Sequence, residues 1–129
     1  MMKSTSMNAL TMIGTTMTKI KVSEVEGNTL NHLVSVALGT FGPSGYWNAF
    51  YDQYQPRPVR YSQGWEYGGP IIEREELATV PLAEGWEAQY ESDEGIGLVF
   101  RGPTPLIAAM RCFVSSKLGE EVEVPYELL

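Results

Sequence analysis

Few residues of this chain could carry out nucleophilic or metal chemistry. Among 129 residues there is one cysteine, Cys112, and one histidine, His32. Together they cannot supply the four ligands of a structural zinc site, and neither an HExxH motif nor a pair of CxxC motifs occurs. A thiol–imidazole dyad is the only conventional thiol nucleophile available. The neighbours disfavour it, since His32 shares a polar helix face with Asn28, Asn31 and Ser35.

We therefore expect an exposed His32, a Cys112 packed among small core residues, and a protein with no catalytic residue, metal or cofactor. No GxSxG elbow occurs, and the glycines at 39–45 match neither the dinucleotide-binding pattern nor the P-loop. Adjacent carboxylates such as Glu75 and Glu76 are too common in an acidic chain to indicate a glycosidase. A hydrolytic enzyme is thus only the third hypothesis.

Aromatic residues are concentrated in one segment. Nine of the fourteen phenylalanines, tyrosines and tryptophans lie between positions 41 and 67, together with glycines and with Arg57 and Arg60. Rings stack on bases, glycines let a ligand approach the backbone, and arginines pair with phosphate. This set suits a nucleotide-like ligand. The same rings could instead form the core of an irregular segment, and the sequence leaves both interpretations open.

Arg111 is the only charged residue in the middle of the segment 104–118, which has the pattern of a helix. It lies at the edge of an apolar arc, where a partly desolvated guanidinium needs a carboxylate or phosphate partner. We expect an ion pair with Glu73; the alternative is an anionic ligand beside Arg60. The candidate ligand-binding residues are Arg60, Tyr61, Trp65, Glu73, Arg74, Thr104 and Arg111.

The helix that carries Arg111 has clear end signals: Thr104 suits the N-cap, Pro105 the first turn and Gly119 the C-terminal end. Apolar residues from 106 to 118 form one stripe at helical spacing. The reverse face consists of alanine, cysteine and serine. We expect both faces to be buried, the small-residue face against a sheet or against a second subunit of a homodimer.

The other predicted elements are shorter. The spacing predicts strands near 19–22, 59–62, 86–90 and 98–101, a helix over 30–38 capped by Asn28 and ended by Gly39, a strand or turn at 71–72 and a helical turn at 73–76. We expect an α+β fold, a small single domain with a short, mostly antiparallel sheet packed on two main helices.

Residues 1–18 are predicted to be a disordered leader and residues 19–129 one α+β domain. The leader lacks the apolar stretch of a signal peptide, and Met17 is an alternative start. No apolar run approaches about 20 residues, so we expect no membrane contact. The single cysteine excludes an internal disulfide and favours the cytoplasm.

Charge is unevenly distributed. The formal net charge is −7, and residues 73–129 alone contain twelve acidic and four basic side chains. Direct binding of duplex nucleic acid requires a basic surface, so the composition disfavours it. The acidic half could contact a basic protein or simply form a solvated surface.

Several sequence blocks resemble a known family. They are GPTPLIAAMRCFV from residue 102, KLGEEVEVP from residue 117, and YSQGW from residue 61 followed by GGPIIERE from residue 68. In order and spacing they resemble the NinX-like proteins of phages, from about Lys19 to the C-terminus. The resemblance implies a small protein of a temperate phage or prophage, made in the bacterial cytoplasm, and supplies no biochemical function. Such proteins often have an acidic–aromatic pair where this chain has Asn31 and His32, which speaks against a ligand role for that helix.

Two functional hypotheses follow. In the first, the chain is a non-catalytic phage accessory protein that binds a small anionic or nucleotide-like ligand through residues 57–74 and the start of the 104–118 helix. In the second, it is a protein-interaction factor that acts on a host or phage protein through its acidic surface. A concave pocket lined by the aromatic residues and Arg111 would favour the first hypothesis, and a flat acidic surface the second.

Overall fold

The computed structural model describes residues 16–39, 59–92 and 95–126. Their elements are, in order, β1 (Met17–Lys21), a 3-10 turn (Val22–Glu24), α1 (Gly27–Leu38), α2 (Trp65–Glu75), β2 (Ala78–Pro81), β3 (Trp86–Ser92), β4 (Gly95–Gly102), α3 (Pro105–Leu118) and β5 (Glu121–Pro125). β1 pairs with β5, and β2, β3 and β4 form a second antiparallel sheet in that order. The predicted α+β class is confirmed, with two sheets and three helices in the described residues.

Helix α3 is the element on which the others pack. The Thr104 hydroxyl oxygen accepts a hydrogen bond from the Ile107 backbone N–H at 3.1 Å, which is the predicted N-cap. Gly119 follows the last turn with φ of 99°. The apolar face and the small-residue face are both largely buried, since α3 contacts all three strands of the larger sheet as well as α1 and α2. The small-residue face lies on β4, where Cys112 Sγ is 3.9 Å from the Leu98 carbonyl oxygen.

In the larger sheet, every second side chain of β3 and β4 points toward α3. Ala88 and Phe100 are partners in the register, and both are buried. The next pair, Glu87 and Arg101, lies on the opposite face because side chains alternate along a strand. One face of this sheet therefore belongs to the core, and the other carries charged side chains.

The smaller sheet joins the beginning and the end of the described chain. Its register runs from Met17 opposite Pro125 to Lys21 opposite Glu121, and the Val22 N–H continues the pairing with the Glu120 carbonyl at 2.9 Å. β1 begins two residues before the predicted strand. Positions 1–15 of the predicted leader lie outside the described residues.

The prediction of an exposed polar face on the first helix is wrong. Asn31, His32 and Ser35 are all buried. At Asn31 the physical reason is a tertiary contact, because the Ser62 backbone N–H and hydroxyl both donate hydrogen bonds to its side chain. The predicted Asn28 cap is wrong as well, since α1 has Glu26 at its N-cap position, without a capping side-chain bond.

The strand predicted near 59–62 is also wrong, and the segment predicted as a strand or turn at 71–72 is helical. Residues 60–64 form a turn in which the Arg60 carbonyl accepts from two backbone N–H groups, and α2 follows directly. This helix contains Gly68, Gly69 and Pro70, which individually disfavour helix. Tertiary packing requires Gly68, because a Cβ atom at this position would overlap the Tyr61 carbonyl oxygen and the Leu106 side chain.

The two adjacent glycines of α2 should respond oppositely to alanine. Gly68→Ala should lower the free energy of unfolding by about 1–3 kcal/mol, because backbone and side chain must move apart. Gly69→Ala should be neutral or stabilise by up to about 1 kcal/mol, because a Cβ atom there is 3.6 Å from the Trp65 ring and alanine favours helix. Urea denaturation of the two variants measures the difference. Equal effects would contradict the close contact at Gly68.

Candidate functional site

A buried amide on α1 fixes the turn in front of α2. Asn31 Oδ1 accepts hydrogen bonds from the Ser62 backbone N–H at 2.9 Å and from the Ser62 hydroxyl at 2.8 Å. Asn31 Nδ2 donates to Gln63 Oε1 at 2.9 Å. Because a buried amide must be hydrogen-bonded, these contacts hold the turn in one orientation relative to α1. Trp65 opens α2 immediately after this turn.

A cleft of about 300 Å³ lies between this turn and the first turn of α3. We call it the Trp65 cleft, and its lining includes Ser62, Gln63, Trp65, Thr104, Leu106 and Ile107. Trp65 is 56% exposed, so much of its indole is accessible. Two of the seven predicted site residues, Trp65 and Thr104, meet in this cleft.

The first turn of α3 adds a positive electrostatic end to the Trp65 cleft. Thr104 provides acceptors for two backbone N–H groups, those of Ile107 and Ala108. The Leu106 backbone N–H lies in the same first turn, and the backbone N–H groups at the start of a helix have no carbonyl acceptor within the helix. The lining side chains are uncharged. The cleft therefore combines an aromatic surface with the positive end of a helix dipole.

Four other predicted residues do not line the Trp65 cleft. Arg60 is exposed at the first position of the turn, and Tyr61 is buried. Glu73 is exposed on α2. Arg74 forms an ion pair with Glu75 at 2.9 Å, and its guanidinium carbon lies 5.8 Å from the centroid of the Phe113 ring on α3. The aromatic residues and Arg57 predicted between positions 41 and 58 lie outside the described residues.

The buried guanidinium of Arg111 has partners on two other parts of the chain. Arg111 Nε donates to the Val25 carbonyl at 2.8 Å, and Nη1 donates to the Arg101 carbonyl at 2.7 Å. Nη2 lies 3.7 Å from a carboxylate oxygen of Glu26. Burial lowers the pKa of Arg111, and the charge of Glu26 opposes this effect. The partner predicted from sequence, Glu73, is therefore wrong, because backbone carbonyls and Glu26 meet the requirement of the guanidinium.

Arg111 also lines a second cleft, of about 910 Å³, beside β4. The Trp65 cleft and this larger cleft have no lining residue in common. Arg111 and Trp65 are therefore not brought into one pocket, and the two halves of the predicted ligand site are separate. The sequence did not indicate Asn31, Gln63 or Glu26 as site residues. Asn31 and Gln63 are hydrogen-bonded in the turn beside the Trp65 cleft, and Glu26 pairs with Arg111 beside the larger cleft.

The single thiol and the single imidazole are both buried. Burial raises the pKa of Cys112 to about 11, so the thiol is protonated at neutral pH. Burial lowers the pKa of His32 to about 4, so the imidazole is neutral at neutral pH. Within the described ranges, no three residues of His, Cys, Asp or Glu are grouped so that they could hold a metal ion.

The family model of NinX from bacteriophage P22 matches residues 21–117. This range runs from the last residue of β1 into the last turn of α3, and it covers most of the chain. The chain belongs to the phage NinX family. Both clefts draw most of their lining from the part that matches NinX. A search of curated proteins found no match.

The NinX family assignment makes the chain a phage accessory protein. In the parts of the chain that the structure describes, no helix has the length and apolar character needed to cross a membrane.

Acidification should destabilise the fold through His32. The unfolded imidazole has a pKa near 6.5 and the folded one about 4, so the unfolded state binds a proton more readily between these values. Stability is therefore lost as the pH falls, by about 2 kcal/mol between pH 7.5 and pH 5 from this group. Urea denaturation of wild type and His32→Gln across this range measures it. The difference in free energy of unfolding between wild type and His32→Gln should narrow at low pH. Parallel curves for the two proteins would contradict a lowered pKa for His32 in the folded state.

Loss of the Arg111 guanidinium should cost much more than loss of its carboxylate partner. Arg111→Met leaves two carbonyls without donors and should lower the free energy of unfolding by about 2–4 kcal/mol. Glu26→Gln should cost less than about 1 kcal/mol, because the Glu26 side chain is 65% exposed. Glu73→Gln is the control and should show no coupling to Arg111. A double-mutant cycle that couples Arg111 to Glu73 would refute this description.

Proposed function

We propose that this NinX-family chain is a non-catalytic accessory protein that binds a small nucleotide-like molecule in the Trp65 cleft, in the cytoplasm of the bacterial host. The observation that carries the proposal is the exposed indole of Trp65 beside the first turn of α3. A nucleobase would stack on the ring, and an anionic group would face the helix end.

Stacking supplies the larger part of the expected affinity. Contact between a base and an aromatic ring is worth about 1–3 kcal/mol per base and tolerates different bases. Gln63 would add a directional contact: Asn31 engages its Oε1 atom, so its amide nitrogen can donate to a ligand. The volume of about 300 Å³ is at the lower end of small-molecule pockets, which favours a mononucleotide over a larger ligand.

The electrostatics of the Trp65 cleft also support an anionic ligand. The chain has a formal net charge of −7, yet no carboxylate lines this cleft. An anion there would meet the positive end of the fourteen-residue helix α3. An anion in this cleft would therefore meet no carboxylate among the lining side chains.

A second candidate function, interaction with a host or phage protein, is supported by the larger cleft beside β4. Three glutamates, Glu84, Glu87 and Glu120, contribute to its lining. A small anionic ligand would be repelled by them, whereas a basic protein segment would not. The two candidate functions use separate clefts, so they can be tested separately.

Thermal unfolding with nucleoside mono-, di- and triphosphates tests the Trp65 cleft. A nucleotide at about 100 times its dissociation constant should stabilise the wild-type chain by about 2.7 kcal/mol. Trp65→Ala should weaken binding by about 5- to 150-fold, which is the loss of one stacked base. Tyr67→Ala is the matched control, because Tyr67 is 44% exposed on the same helix and lies outside the cleft lining.

Separate titrations with a nucleoside and with inorganic phosphate assign the two parts of the ligand. Each should bind more weakly than the nucleotide, and only nucleoside binding should depend strongly on Trp65. The proposal fails if no nucleotide stabilises the wild-type chain, or if Trp65→Ala and Tyr67→Ala respond equally to the nucleotide that does.

A further inference from the structure

Strand β4 is an edge strand of the larger sheet. The order is β2, β3, β4, and in the described part of the chain no further strand pairs with β4. Val99 in its middle is 48% exposed, and the Arg101 side chain is 77% exposed. An accessible strand edge presents backbone N–H and C=O groups that another extended chain can pair with.

The cleft of about 910 Å³ follows this strand. Six consecutive residues of β4, 97–102, line it, which corresponds to about 20 Å of extended chain. Gly97 within this stretch has no side chain, and glycine in a strand often marks a place where another backbone approaches closely. The Arg101 carbonyl already accepts from Arg111, so the part of this edge left for pairing is 97–100, which suits a peptide of about four residues in extended conformation.

The charges along this cleft are not balanced. The two arginines that line it are already engaged: Arg101 Nε lies 3.6 Å from Glu87, and Arg111 pairs with Glu26 and two carbonyls. Glu84 and Glu120 also line it, and neither forms an ion pair with a basic group in the described ranges. An adjoining hollow shares Glu120 and adds Glu121 and Lys21. The uncompensated charge of the cleft is negative.

We infer that the β4 edge binds an extended segment of another protein that is rich in lysine or arginine, which adds to the sheet as a fourth strand. Main-chain hydrogen bonds to β4 supply the pairing, and Glu84 and Glu120 select basic side chains. The inference deepens the protein-interaction candidate and does not depend on ligand binding in the Trp65 cleft.

The test uses the full chain and a fluorescein-labelled eight-residue peptide of alternating lysine and valine. Fluorescence anisotropy should show binding at least about tenfold tighter than for the matching glutamate–valine peptide. Two further lysine peptides carry N-methyl groups on alternate residues, one at the odd positions and the other at the even positions. Each has therefore lost the backbone donors along one edge of the extended peptide. Strand addition requires that one of the two methylated peptides binds at least about tenfold more weakly, since it has lost its backbone donors.

Matched variants localise the contact. Val99→Lys places a cation on β4 and should weaken binding of the lysine peptide at least about fivefold. Val80→Lys is its control, because Val80 is an exposed valine on β2 at the opposite edge of the same sheet. Glu84→Gln combined with Glu120→Gln should weaken binding as well, whereas Glu66→Gln combined with Glu73→Gln, with the same change in net charge, should not.

Three results would overturn the inference. One is equal binding to the Val99→Lys and Val80→Lys variants, and another is equal binding of both methylated peptides, which would indicate attraction by charge alone. The third is a concentration-dependent dimer in sedimentation that Val99→Lys dissociates, since a second copy of the chain would then occupy the edge. If Trp65→Ala loses nucleotide binding while peptide binding is unchanged, the inference about the β4 edge still holds.

Discussion

The guanidinium of Arg111 is the contact on which the arrangement of the described elements depends. It projects from α3 and donates to the carbonyl before α1 and to the carbonyl near the end of β4. A planar cation with donors in fixed directions can satisfy two separate carbonyls, which a lysine or an apolar residue cannot. Three elements are therefore held by one side chain at a defined mutual orientation. The wall of the larger cleft follows directly from that orientation.

A second polar contact has the same effect on the other side of α1. Asn31 accepts two hydrogen bonds from Ser62 and donates one to Gln63, and it is completely buried. Apolar packing in a small domain tolerates several similar arrangements, whereas a buried amide or guanidinium is costly in any arrangement that leaves it unpaired. Each of the two clefts is thus built beside a buried polar residue whose partners are unique.

The success of sequence-based prediction depended on how local the stabilising interactions are. Helix α3 was predicted from its cap, its end and its apolar spacing, all of which lie within 104–119. Helix α2 was missed because Gly68 and Pro70 disfavour helix locally, and the close approach of Gly68 to Tyr61 and Leu106 that requires a glycine is a tertiary feature. No residue pattern marks a backbone carbonyl as an acceptor, so the partners of Arg111 were not predictable from sequence.

The smaller sheet has a consequence for how the chain folds. β1 and β5 lie roughly 100 residues apart in sequence, with every other described element between them. Closing so long a loop costs entropy before the pairing is formed, and topologies dominated by such distant contacts fold on the scale of milliseconds to seconds. During synthesis β1 must therefore wait, unpaired, until β5 has been made. Until then the backbone groups of β1 that pair with β5 have no partner strand, and this interval is when the nascent chain is most exposed to chaperones and proteases.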